Sequence, residues 1–135
     1  MGYLDTLGYT DKHLWVRVEG DLVRVGVTHV GAGATGDIVF VELPPPGTRV
    51  QAGGPMGSVE SVKSVFDLAS PVDGVVVRIN DPVIEHPAYV TSEPFGFGWL
   101  TLIRFDSPPA GLLGRATYMA LPRPPGPGGD APADG

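Results

Sequence analysis

Short strand-like runs, separated by segments that contain glycine or proline, restrict what this chain can fold into. Alternation places successive side chains on opposite faces of a strand, so that one face is available for a core. Three runs alternate, Trp15–Glu19, Leu22–Val27 and Trp99–Arg104, and two mostly apolar runs, Ile38–Leu43 and Val75–Ile79, predict strands as well. The chain has 20 glycines and 15 prolines in 135 residues, which predicts tight turns and disfavours long helices. The pattern predicts an all-β sandwich or barrel with minor helices.

Two stretches are predicted to be helical. Between Ala110 and Leu121 the apolar residues recur at helical spacing, and Pro122 ends the run. From Thr28 to Gly36 a second, shorter helix is predicted, weakened by internal glycines that each cost about 1 kcal/mol relative to alanine.

The last residues differ in composition from the rest of the chain. Residues 122–135 contain no apolar side chain larger than alanine or proline, so ordering them would bury too little surface to offset the lost entropy. We therefore expect one domain over residues 1–121 and a disordered Pro/Gly-rich tail over residues 122–135.

Composition excludes several classes of function. The net charge of −6 argues against nucleic acid as a partner, and no apolar run approaches the roughly 20 residues that span a bilayer. The N-terminal residues lack the basic start and apolar centre of a secretory signal, which favours a cytoplasmic protein. The chain has no cysteine, so any redox chemistry needs sulfur supplied by a cofactor.

Two other features, a glycine motif typical of nucleotide binding and the histidines, lack the context that a binding site requires. Gly31, Gly33 and Gly36 have the spacing of a dinucleotide fingerprint, but Gly36 leads into a predicted strand and not into a helix that would bind pyrophosphate. The three histidines, His13, His29 and His86, are scattered without metal-ligand spacing. We expect neither a nucleotide site nor a metal site, and no catalytic group of the chain's own.

The stretch around Lys63 carries the clearest chemical signal. Apolar residues alternate on both sides of this lysine, at Val59, Val62, Val65 and Leu68, which predicts a hairpin with Lys63 at its turn. Lysine occurs only at positions 12 and 63, while arginine supplies the other seven basic residues. A deprotonated amine can be acylated, whereas a guanidinium stays protonated and is a poor nucleophile.

These residues also carry a resemblance to a known family. Val59–Ser64, followed by Ser70–Gly74, resembles the lipoyl-lysine hairpin of the glycine cleavage system H proteins. The segments His13-x-Trp15-Val16, Gly36–Pro44 and Gly98–Leu100 extend the resemblance over about Tyr9 to Leu121. It implies a barrel-sandwich hybrid fold of the lipoyl/biotinyl hammerhead type, with a short C-terminal helix.

The resemblance also implies a cofactor. Biotinyl and lipoyl carriers both attach their cofactor to such a lysine by an amide bond, and biotinyl domains usually flank it with methionines. Val62 and Ser64 flank Lys63 here, and Glu60 matches the acidic position that lipoylating enzymes recognise. We therefore expect lipoate, covalently bound to Lys63.

The family's activity follows from the resemblance as an expectation. An H protein carries a lipoyl-bound aminomethyl group from glycine decarboxylase to aminomethyltransferase, and dihydrolipoyl dehydrogenase reoxidises the arm. A lipoate ligase or a lipoyl transferase attaches the cofactor. The protein itself is a carrier subunit and not an enzyme.

One part of the family pattern is altered. Leu14 stands where the family has the acidic residue of a His-Glu-Trp motif, Lys12 precedes His13, and Asp67 is retained. If Lys12, Leu14 and Asp67 line the family's cleft, the cleft suits a cationic load less and a neutral or anionic load more. Two alternatives therefore stay open: an H-like lipoyl carrier retooled for sulfur oxidation or specialised metabolism, and a non-catalytic lipoate-relay scaffold.

Overall fold

The computed structural model describes residues 6–28, 37–62 and 64–121, and these form antiparallel strands with three short helices. Each strand is two to seven residues long, and glycine or proline lies in most of the turns between them. The strands are β1 Gly8–Tyr9, β2 Leu14–Glu19, β3 Leu22–Val27, β4 Ile38–Glu42, β5 Arg49–Val50, β6 Pro55–Ser61, β7 Val65–Ala69, β8 Gly74–Ile79 and β9 Thr101–Phe105. The helices are α1 Asp81–Glu85, α2 Ala88–Ser92 and α3 Arg115–Met119.

The strands form two antiparallel sheets. One has six strands in the order β1-β2-β3-β9-β8-β5, and the other has three in the order β4-β6-β7. Strands β2 and β3 are joined by a tight turn at Gly20, whose φ of 69° lies in the left-handed region that glycine adopts without strain. The three-stranded sheet carries the hairpin that the sequence predicts around residue 63.

The main core lies between the two sheets. Valine dominates it because β-branched side chains pack well on pleated surfaces. Its buried members come from both sheets, from α1 and α2 and from two connecting residues, Val72 and Leu100: Leu14, Val16, Val23, Val25, Val27, Ile38, Val41, Val50, Met56, Val59, Leu68, Val72, Val76, Val83, Val90, Leu100 and Ile103. The short helices thus cover the core beside β4, which both of them contact.

A second, aromatic cluster packs around Trp15. Trp15 is buried and its indole N–H donates to the carbonyl of Pro94 at 2.8 Å. Gly26 lies opposite Trp15 on β3, and a Cβ at Gly26 would collide with the indole ring. Tyr118 of α3 stacks on Tyr9 with 5.0 Å between ring centroids, so this cluster attaches the C-terminal helix to β1 and β2.

The all-β prediction is confirmed, since antiparallel sheets dominate and the helices are short. The C-terminal helix is present but covers only Arg115–Met119. Before it, Tyr9 and Leu113 exchange backbone hydrogen bonds of 2.9 and 2.8 Å. The segment before Arg115 is therefore not helical, although its apolar residues recur at helical spacing.

Helices α1 and α2 were not predicted. Pro82 lies in the first turn of α1, and Pro87 directly precedes α2. Proline interrupts a helix interior but is compatible with its first turn, where no backbone donor is needed. Each helix has only five residues, which is too short for a periodic apolar pattern.

Lys63 lies outside the described residues, and so do three other predicted features. The helix predicted from Thr28 to Gly36 and the glycine motif at 31–36 lie on residues 29–36, and the tail comprises residues 122–135. No helix among the described residues is long and apolar enough to cross a membrane.

Candidate functional site

Strands β6 and β7 form the hairpin whose turn contains position 63. Backbone pairing runs through Ser58↔Asp67, Val59↔Phe66 and Glu60↔Val65. Below the turn, Gly57 has φ of 101°, and a Cβ there would collide with the carbonyl oxygen of Glu42. Only glycine permits that close approach of β6 to β4 without strain.

The turn is closed by two serines. The Ser61 N–H donates to the Ser64 carbonyl at 2.9 Å, and the Ser64 N–H donates to the Ser61 hydroxyl at 3.1 Å. These two hydrogen bonds join the ends of the turn. Of the two residues between the serines, Val62 is 86% exposed and Lys63 lies outside the described residues.

Glu60 lies on the face of the three-stranded sheet that points away from the core. Its neighbours across the strands are Phe40 on β4 and Val65 on β7. The adjacent row of the same face is Glu42, Ser58 and Asp67. Strands β4, β6 and β7 contain no lysine or arginine, so this face is acidic.

The structure does not place Leu14 on a cleft surface. Leu14 is fully buried in the main core, where it pairs with Val27 across β2 and β3. An apolar side chain at an inward-facing strand position is stabilised by burial, by roughly 1.5–3 kcal/mol for leucine. Leu14 is therefore a core residue, and the expectation that it lines a surface cleft is wrong.

The other two residues of the predicted cleft are exposed. Lys12 lies in the turn before β2, and its backbone N–H donates to the Thr10 hydroxyl at 3.2 Å. Asp67 lies on the outward face of the three-stranded sheet, opposite to the face that packs on the core with Leu14. Leu14 and Asp67 therefore lie on opposite sides of the three-stranded sheet. Lys12, Leu14 and Asp67 do not line one common cleft in the part of the chain that the structure describes.

A hydrogen-bonded cluster near the start of β2 was missed by sequence reasoning. The Tyr118 hydroxyl lies 2.7 Å from His13 Nδ1 and 2.6 Å from the Thr28 hydroxyl. His13 has a φ of 67°, a left-handed conformation that is uncommon outside glycine. The cluster attaches α3 to the residues just before β2 and just after β3, at the open end of this hairpin. The three residues are distant in sequence, so only the tertiary structure shows that they are in contact.

The described titratable groups with shifted pKa values lie away from the hairpin turn. Hydrogen bonds from Arg24 and Arg17 lower the pKa of Glu19, against the opposing effect of its partial burial. The ion pair with Asp106 raises the pKa of Arg49. Among the described residues no group of three or more His, Cys, Asp or Glu side chains is arranged to hold a metal ion.

Two shallow cavities lie at the opposite end of the β6–β7 hairpin from its turn. The larger, about 260 Å³, is lined by Thr10, Asp11, Pro71 and residues 110–113. The smaller, about 190 Å³, lies between Pro71, Asp73 and Pro108. Both border the β7–β8 turn and neither borders position 62 or 64, so they are separate from the candidate site.

Comparison with known proteins identifies relatives over most of the chain. The family model "Glycine cleavage H-protein" matches residues 7–119. The chain is 46% identical over 116 residues to a "Glycine cleavage system H protein" of Clavibacter sepedonicus, covering 86% of this chain and 94% of that protein. It is 41% identical over 119 residues to the protein of the same name from Thermosynechococcus vestitus, covering 88% of this chain and 94% of that protein.

A solved structure has the same architecture. The crystal structure of a glycine cleavage system H protein from Mycobacterium marinum matches with a TM-score of 0.79 and 38% identity. The match covers 84% of this chain and 94% of that one.

Proposed function

The chain belongs to the glycine cleavage H-protein family, and from this premise we propose that Lys63 carries a lipoyl group in amide linkage. The chain is a lipoyl carrier of the glycine cleavage system. The observation that supports Lys63 as the attachment point is the serine-closed turn beside Val62, whose 86% exposure leaves room for an approaching enzyme.

The described residues around the turn fit such a group. Hydrogen bonds between Ser61 and Ser64 close the turn, and a lysine in such a turn can be acylated once its amine is deprotonated. Glu60 lies at the base of the turn on the outward face, where a lipoylating enzyme that approaches the turn can contact it.

The attached group supplies what the chain lacks. The chain has no cysteine, and the lipoyl dithiolane provides the sulfur that accepts an aminomethyl group and is later reoxidised. The residues of the chain contribute position instead, because the paired strands β6 and β7 carry the turn that contains position 63.

The partners follow from membership in the system. They are glycine decarboxylase, aminomethyltransferase and dihydrolipoyl dehydrogenase, together with a lipoate ligase or lipoyl transferase that loads the carrier. Catalysis belongs to these enzymes, and the carrier contributes no active site of its own.

The alternative of a retooled carrier is not favoured. It depended on Leu14 and Lys12 beside a surface cleft, and Leu14 is buried in the main core. Lys12 remains as a single exposed charge in the turn before β2, and the effect of such a charge on a load is below about 1 kcal/mol.

Intact-mass analysis tests the attachment. After incubation with a lipoate ligase, lipoate and ATP, the wild-type chain should gain one lipoyl increment. Lys63→Arg should remove this gain and Lys12→Arg, which changes the other lysine of the chain, should leave it. An increment that persists in Lys63→Arg and disappears in Lys12→Arg would contradict the proposal.

A further inference from the structure

Three exposed aromatic rings form a continuous surface along α1, α2 and the loop that follows them. The ring centroid of Tyr89 lies 5.8 Å from that of His86 and 6.5 Å from that of Phe97. Tyr89 is 39% exposed and Phe97 is 74% exposed, and His86 is exposed as well. Contiguous exposed aromatic surface of this kind is typical of a protein–protein contact. These three side chains are called the aromatic ridge below.

The loop that presents Phe97 is held in place by hydrogen bonds. The buried Asn80 side-chain amide donates to the carbonyls of Phe97 and Trp99, at 2.7 Å each. The Gly98 N–H donates to the Glu93 carbonyl at 2.8 Å, and a Cβ at Gly98 would collide with that same oxygen. Phe97 is therefore exposed on a fixed backbone, so a contact that buries its ring loses little backbone entropy.

The aromatic ridge is negatively charged at its helical end. Residues 81–103 contain three carboxylates and no lysine or arginine. The carboxylates are Asp81, Glu85 and Glu93, all exposed and none in an ion pair within the part of the chain that the structure describes. Glu85 is the last residue of α1 and directly precedes His86, so its charge lies at the end of the ridge.

The opposite end of the aromatic ridge is positively charged. There the Arg24 guanidinium carbon lies 4.4 Å from the centroid of the Trp99 ring, and the Arg78 guanidinium carbon lies 6.0 Å from it. Arg24 is paired with Glu19. Arg78 is exposed and forms no ion pair with any described residue. Its charge is therefore left without a counter-charge, beside the loop that carries Phe97.

We propose that the aromatic ridge and the charges at its two ends form a self-association interface, through which two copies of this chain make a symmetric dimer. A two-fold axis rotates one copy by half a turn, so each end of one ridge faces the opposite end of the other. Arg78 of one copy then faces Glu85 of the second copy, and Phe97 of each copy packs near the axis. Ring burial gives the contact its affinity, and the opposite charges fix its orientation.

The charge distribution favours a second copy over another partner. A surface of one sign fits a partner of the opposite sign, whereas this surface carries both signs at its two ends and is complementary to itself. Because the chain has a net charge of −6, two copies repel each other at long range, and the paired ends offset this repulsion on contact. A dimer built on so few rings should be weak, and it does not depend on the proposed function.

Analytical ultracentrifugation of the full chain at increasing concentration tests the aromatic part of the interface. The wild type should show a monomer–dimer equilibrium. Phe97→Ser should raise the dissociation constant about tenfold, the size of effect that truncating a central contact residue produces. The matched control is Phe40→Ser, which removes a phenylalanine of 49% exposure from the outward face of the three-stranded sheet. This control should dimerise like the wild type.

Charge exchange tests the symmetry of the contact. Arg78→Glu and Glu85→Arg should each raise the dissociation constant several-fold at low salt, because like charges then face each other across the axis. Both substitutions in one chain restore opposite charges at the contact and should recover most of the affinity. Asp21→Arg, which reverses an exposed carboxylate in the β2–β3 turn, should have little effect. Thermal melting checks that each variant is folded.

Four results would overturn the inference. The first is a wild type that stays monomeric up to millimolar concentration, and the second is a dimer that a folded Phe97→Ser variant leaves unchanged. The third is a double charge variant that dimerises no better than either single variant. The fourth is a monomeric wild type in which a lysine-rich peptide shifts the NMR signals of Phe97 and Tyr89, which would assign the aromatic ridge to a basic partner.

Discussion

At the scale of single residues, burial decides which side chains contribute to stability and which are free for function. Leu14 and Thr101 are both fully buried, one with an apolar side chain and the other with a hydroxyl. Their substitutions give opposite expected effects on the free energy of unfolding.

Leu14→Glu should destabilise the fold. The side chain lies in the main core opposite Val27, and a carboxylate placed there loses its hydration without a partner among the described residues. We expect the free energy of unfolding to fall by about 3 kcal/mol or more. Urea unfolding measures it, with Leu14→Met as a control of similar volume that should cost less than about 1.5 kcal/mol. Equal stability of Leu14→Glu and wild type would show that the position reaches solvent, as a cleft residue would.

Thr101→Val should stabilise the fold. The Thr101 hydroxyl is buried and finds no hydrogen-bond partner among the described residues, in a row with Val25 and Ile79. Replacing it with a methyl group removes an unsatisfied polar group, worth about 1 kcal/mol. Thr91→Val is the matched control, because the Thr91 hydroxyl accepts a hydrogen bond from the Ile38 N–H at 3.0 Å and its loss should destabilise. A gain from both substitutions would refute this reasoning.

At the scale of elements, β-hairpins are fixed by side-chain pairs as well as by turns. In the β2–β3 hairpin, Glu19 accepts hydrogen bonds from Arg17 at 2.7 Å and from Arg24 at 2.8 Å. Arg24 in turn lies over the Trp99 ring, 4.4 Å from its centroid. This arrangement links the hairpin to the segment that leads into β9.

Glu19→Gln should weaken the acid dependence of stability. The arginines lower the pKa of Glu19 below its ordinary 4.5, so the folded state binds this proton more weakly than the unfolded state. The contribution is therefore present above about pH 4.5 and is lost as the pH falls through the lower, folded pKa. Since the three side chains are all partly exposed to solvent, we expect less than about 1 kcal/mol at neutral pH. Thermal melts from pH 7 to pH 3 should show a smaller loss in the variant than in wild type, and parallel curves would contradict the assignment.

At the scale of the whole molecule, the C-terminal helix completes the aromatic cluster. Tyr118 is buried, stacks on Tyr9 and bonds to His13 and Thr28, and Leu121 packs against the same cluster. The residues after Leu121 have only small, polar, charged or proline side chains.

Two truncations should show that the C-terminal helix stabilises the fold and that the tail after Leu121 does not. A chain that ends at Leu121 should melt within a few degrees of the full chain, because little apolar surface is removed with residues 122–135. A chain that ends at Gly114 loses Tyr118 and should melt lower by about 10 °C or more, as expected for a loss of several kcal/mol. A large decrease from the first truncation would mean that the tail packs on the domain.

The local sequence pattern determines the position of most strands and of the hairpin turn in this protein. The alternating runs predict β2, β3 and β9 nearly to the residue, because a strand's period of two is visible without any partner, and two short apolar runs predict β4 and β8. The turn at residues 61–64 follows in the same way, and lysine chemistry at position 63 singles out the candidate site. The attachment itself stays a prediction.

Tertiary structure alone decided which face of each strand is buried and which strands are neighbours. The run from Ile38 to Val41 is apolar throughout, and a bulge between Ile38 and Phe40 turns Ile38 and Val41 inward while Val39 and Phe40 stay exposed. Leu14 is drawn into the core by the pairing of β2 with β3. Both outcomes depend on contacts between residues distant in sequence, and the local period cannot encode them because it fixes alternation but not the partner sheet.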